Sequence, residues 1–98
     1  MNPPEHQIQI DIDETTARGV YTNLALITHS ETEVIMDFVF LQPQNPKAKV
    51  MARVVSSPVH AKRLMMALKE NLEKYETRFG PIRIEPVETP AKPVGFYQ

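Results

Sequence analysis

The sequence predicts an α+β domain: a four-stranded antiparallel meander followed by one long C-terminal amphipathic helix, assembling as a dimer. Three observations predict it. Four stretches between residues 6 and 56 alternate or run apolar in the manner of strands, with short polar or proline-containing connections between them. One stretch after them, from Ala61 to Phe79, carries an apolar stripe at helical spacing. The two middle strands are apolar on both faces, which is more surface than a single helix covers.

The first strand is residues 6–13, where Ile8, Ile10 and Ile12 alternate with polar residues, as on a half-buried edge. Glu14 to Gly19 reads as a connection. Residues 20–29 give the second strand, with Val20, Thr22, Leu24 and Leu26 on one face and Tyr21, Asn23, Ala25 and Ile27 on the other. Ser30-Glu31-Thr32 is short and polar, which suits a hairpin turn. In the third strand, 33–41, Val34, Met36, Phe38 and Phe40 oppose Ile35, Asp37, Val39 and Leu41. Gln42-Pro43-Gln44-Asn45-Pro46 is a turn, because proline cannot donate to a ladder. The fourth strand is 48–56, with Val50, Ala52 and Val54 on one side and Met51, Arg53 and Val55 on the other.

Ser57 suits a helix N-cap, where its hydroxyl accepts from a free backbone N–H, and Pro58 suits the first helical position. The stripe Ala61, Leu64, Met65, Leu68, Leu72, Tyr75 and Phe79 follows in steps of three and four, closing up between Leu64 and Met65. Glu70 and Lys74 form an i,i+4 pair, Gly80 is the C′ residue, and Pro81 prevents resumption. Ile82-Arg83-Ile84 has the makings of a short strand, and residues 83–98 read as a proline-rich tail beyond a single domain at 1–82.

Ninety-eight residues suffice for one domain, and 42% apolar residues allow a core. No apolar run approaches the ~20 residues of a membrane span, and the first residues lack the pattern of a signal peptide. Absence of cysteine excludes disulfides and thiolate metal sites. A cytoplasmic protein without membrane contact is the expectation. The net charge of −1 hides a block structure. Residues 1–37 hold seven acids and one base, and residues 38–69 hold six bases and no acid. Such blocks complement each other within a fold, between subunits, or with a charged partner.

The dimer follows from the two-faced sheet. If the helix covers one face, residues such as Tyr21, Ile27, Ile35, Val39 and Val55 are left in water. A second copy related by a twofold is the simplest cover, and the tail folding back is the competing one.

Among side chains with chemistry, Asp37 stands inside an apolar strand and must be paired if buried. Arg53, on the same face of the next strand, is its candidate structural partner, and pairing across a subunit interface is the alternative. Lys47, Lys49, Arg53, His60, Lys62 and Arg63 form a candidate patch for a protein partner or an anion. His6, His29 and His60 sit on three elements without ligand spacing, so neither a metal nor a cofactor is expected. Ser56, Ser57, His60 and Asp37 include the residue types of a triad, but no nucleophile elbow accompanies them. No catalytic residue is assigned and no enzyme is expected. Met36, Met51, Met65 and Met66 fill a core or line an adaptable surface.

Several of these residues form a recognisable set. Gly19-Val20-Tyr21-x-Asn23, Thr28-His29-Ser30, Asp37-Phe38, Pro46-Lys47-Ala48-Lys49-Val50, Arg53-Val54-Val55 and Ser57-Pro58-x-His60-Ala61-Lys62-Arg63-Leu64 resemble domain-of-unknown-function family 3467. The resemblance runs from about residue 6 to Ile82 and implies no activity and no catalytic residues. A weaker likeness, of architecture alone, is to SecB-type export chaperones. The expected function is a non-catalytic homo-oligomeric interaction or scaffold module with an unknown protein partner. The alternative is a SecB-like chaperone or a nucleic-acid-associated protein using the basic patch.

Overall fold

The computed structural model describes residues 7–44 and 46–85. It divides the chain into two units, Met1–Ala61 and Lys62–Gln98. The first unit holds a short helix α1 (Glu14–Ala17) and three strands, β1 (Leu24–His29), β2 (Val34–Leu41) and β3 (Ala48–Ser56). The strands hydrogen-bond in the order β1-β2-β3, each neighbour antiparallel. Helix α2 (Pro58–Phe79) follows. The α+β class, the antiparallel meander and the C-terminal helix therefore stand, with three strands rather than four.

The strand expected at residues 6–13 is the correction. Residues 7–13 form no ladder, and Ile8, Ile10 and Ile12 are 78%, 87% and 66% exposed. Alternation records which side chains share a face, but a strand exists only where another edge accepts its N–H and C=O groups. The connection after it is helical instead. The Ala17 N–H donates to the Asp13 carbonyl at 2.9 Å, and the Gly19 N–H reaches Thr16 O at 3.0 Å. Gly19 closes this turn at φ +75°, where a side chain is disfavoured.

β1 begins at Leu24, four residues later than the apolar run starts. Asn23 explains the late start. Its side-chain amide donates to Leu41 O at 2.9 Å and its carbonyl oxygen accepts from Leu41 N–H at 2.8 Å, in place of a backbone pair. Tyr21, just before it, packs edge-on against Phe40 with ring centroids 6.1 Å apart. At the other end of the hairpin, His29 pairs with Val34. The Ser30 hydroxyl accepts from the N–H groups of Thr32 and Glu33 at 3.3 and 3.2 Å, so the polar turn is locally satisfied.

β2 is the central strand and holds the buried residues. Met36 and Val39 are buried on opposite faces, and Asp37 lies between them. The β2–β3 register steps between Phe38 and Val39, where Phe38 faces Ala52 but Val39 faces Val50. Met51 is the extra residue of a β-bulge. The bulge breaks the simple alternation expected of 48–56: Val50 shares the face of Arg53 and Val55, not that of Ala52 and Val54.

α2 starts as its sequence indicates, with the Ser57 hydroxyl accepting from His60 N–H at 3.2 Å and the Ser57 carbonyl from Ala61 N–H at 2.9 Å. In the second unit the helix runs on to Phe79. It ends when the Gly80 N–H reaches back to the Glu76 carbonyl at 2.8 Å, with Gly80 at φ +96°. The Glu76 carboxylate accepts from Ile82 N–H at 2.8 Å and anchors the exit. Residues 81–85 are irregular, so Ile82-Arg83-Ile84 adds no strand. The rest of the tail, residues 86–98, lies outside the described residues.

Candidate functional site

The antiparallel register sets Asp37 directly opposite Arg53 on one face of the sheet. The guanidinium closes on the carboxylate with both arms: Arg53 Nε donates to Asp37 Oδ1 at 2.7 Å and Nη2 to Oδ2 at 2.8 Å. Such forked charge-assisted bonds are the strong kind. The pair is asymmetric, because the Asp37 side chain is 1% exposed and that of Arg53 is 50% exposed. A carboxylate taken out of water must be bonded. Arg53 supplies the bonds and keeps half its own surface in solvent. The Arg53 hydrogen bonds hold the Asp37 carboxyl below its ordinary range, and Asp37 in turn raises Arg53. Among the described residues, no buried side-chain nitrogen or oxygen lacks a partner.

The bases of the candidate patch occupy different positions. Lys47 precedes β3, Lys49 is exposed on it, and Arg53 is joined to Asp37. His60 is exposed in the first turn of α2, with its backbone N–H held by Ser57. Lys62 and Arg63 are exposed in the second unit. Arg53 thus serves the sheet as much as any surface, whereas Lys49 is exposed on β3, the strand at the edge of the sheet, on the face opposite that pair.

That edge is the first of two open surfaces. The sheet order leaves the outer side of β3 without a neighbouring strand among the described residues. The second is the stripe of α2. No residue of this 22-residue helix is buried, and Leu64, Met65, Leu68, Leu72, Tyr75 and Phe79 are between 43% and 65% exposed. Near the end of the helix the rings of Tyr75 and Phe79 lie 5.0 Å apart and Arg78 sits over Phe79 at 5.2 Å. The sequence marked the stripe as apolar, but it carried no sign that the stripe would stay half in water.

A family of proteins described as "Protein of unknown function (DUF3467)" has a model that matches residues 1–84, which include all three strands and α2. The chain belongs to this family. No curated protein and no solved structure matches it. Family DUF3467 brings no activity and no site residues to the chain, so any role rests on the geometry above. Among the described residues of this DUF3467 protein, no three His, Asp or Glu side chains converge as a metal site, and no helix is long and apolar enough to cross a membrane.

Proposed function

We propose that this chain is a non-catalytic, homo-oligomeric interaction module of the cytoplasm, working as a dimer that presents a composite surface to a protein partner. The exposed stripe of α2 carries the reading. Six large apolar side chains about half in solvent along one helix face are far from the scattered single residues of an ordinary surface. Fully burying one such side chain is worth roughly 1.5–3 kcal/mol, so covering the stripe has several kcal/mol to gain. The β1-β2-β3 sheet supports the same reading, because Met36 and Val39 are its only buried apolar residues among those described. A three-stranded sheet needs an apolar face packed on something to be stable. The charge blocks, acidic over residues 1–37 and basic over 38–69, suit subunits that meet unlike to unlike.

Molar mass by light scattering, at low and high salt, tests the reading. A dimer that survives high salt is expected, since apolar burial is not screened. A monomer in both conditions overturns it.

One observation favours a second reading. Met65 and Met66 are 56% and 59% exposed, and flexible methionines suit a surface that accepts many apolar sequences. A SecB-like chaperone would use them on unfolded chains. Its binding would hold as salt rises, whereas binding to nucleic acid through Lys47, Lys49, Lys62 and Arg63 would fall steeply.

A further inference from the structure

We propose that residues 7–13 of one copy add as a fourth strand to the open edge of β3 in a second copy, reciprocally. This rests on the homo-oligomer reading and names one of its contacts. Residues 7–13 have three β-branched side chains at every second position, yet all three are in water. An unpaired sheet edge is a template for such a segment, binding it by backbone bonds and sorting it by alternate side chains.

Among the described residues two edges are open, those of β1 and β3. Charge selects between them. The segment carries Asp11 and Asp13, with Glu14 next. β1 reads Leu-Ala-Leu-Ile-Thr-His and has no Lys or Arg. β3 carries Lys49, with Lys47 just before it, and its nine residues are long enough for the seven of the segment. Opposite charges across a strand pair stabilise it.

The faces also agree. Lys49 faces Phe40, on the side of the sheet opposite the Asp37–Arg53 pair. If Asp11 and Asp13 lie on the Lys49 side, alternation sends Ile8, Ile10 and Ile12 to the side of Val50 and of the half-exposed Val55. The acids then meet Lys49, and the isoleucines meet Val50 and Val55 on the side where Arg53 is already held by Asp37. Within one chain, the segment leads through α1 into β1, at the far side of the sheet from β3. Residues 14–23 would have to run back across the sheet to deliver it. Exchange between two copies avoids that crossing and closes as a twofold.

Sedimentation equilibrium of the full chain at low salt tests the exchange with three variants. Ile10→Pro removes a ladder donor from a segment that bears no load in the sheet, and should weaken self-association at least tenfold while strand and helix signals persist. Asp11→Lys and Lys49→Glu should each weaken it roughly tenfold, the size of two exposed ion pairs lost per dimer. Mixing these two variants should restore the wild-type dimer, because both contacts in the mixed dimer pair opposite charges. A wild-type dimer indifferent to all three variants overturns the exchange and leaves the oligomer reading standing. Weakened variants that do not rescue each other also overturn it, since a contact within one chain gains nothing from mixing. A wild-type monomer overturns the exchange and the oligomer reading together.

Discussion

Asp37 shows how much one residue can organise. A carboxylate in an apolar strand has no way to be left in place unless its charge is met, and the register meets it with Arg53. Because Arg53 holds the folded-state carboxyl below its ordinary range, the pair stabilises the fold above the unfolded-state value of about 3.9. That stability is lost as pH falls through the lower folded value. Asp37→Asn should therefore lower the thermal midpoint at pH 7 and flatten the loss of stability between pH 5 and the acid limit. Melting curves of both proteins across that range check it, and parallel pH profiles would show that other carboxylates govern acid unfolding. The effect at pH 7 should exceed that of Glu70→Gln, whose 3.4 Å pair with Lys74 is solvent-exposed and worth only ~0.3–0.5 kcal/mol. Asp37 is conspicuous in the sequence because it contradicts its surroundings. Asn23 is not conspicuous. A polar residue in a strand reads as facing water, and nothing local says that its amide will replace a backbone pair with Leu41.

At the level of elements, legibility tracks how local the cause is. α2 is readable to the residue, since Ser57, Pro58, Gly80 and Pro81 each act on backbone groups within one turn. Removing the Ser57 hydroxyl by Ser57→Ala should cost about 1 kcal/mol. Gly80→Ala should cost roughly 1–2 kcal/mol through its positive φ alone, because a Cβ there meets nothing within 4 Å. Thermal unfolding followed by helix circular dichroism measures both, and an unchanged midpoint for Gly80→Ala would mean the chain leaves α2 by another route. The strands are readable only in part. β2 and β3 fall where the apolar runs place them, but the bulge at Met51 depends on how two strands meet. Residues 7–13 show the same limit more sharply. Their alternation is as clean as any in the chain, and the partner edge it requires is not encoded within those seven residues.

At the scale of the whole molecule, neither unit has enough buried surface of its own. Buried apolar residues of the sheet amount to Met36 and Val39 among those described, and α2 has none. In proteins most helical stability comes from packing an amphipathic face, and the stripe of α2 is about half exposed. If stability comes from association, as the proposed dimer requires, this has a thermodynamic signature that no folded monomer shares. If the native state is a dimer and the unfolded state is not, the thermal midpoint rises with protein concentration by mass action. Leu68→Asp, at the middle of the stripe, should abolish that dependence, lower the helical signal and shift the molar mass to monomer. Leu68→Met, which preserves volume and polarity, should keep all three near wild type. Melting curves over a hundredfold concentration range decide the matter. A midpoint independent of concentration would mean that each chain reaches its stable fold alone, so that the exposed stripe is a surface kept open for a different partner and not half of a core shared between copies.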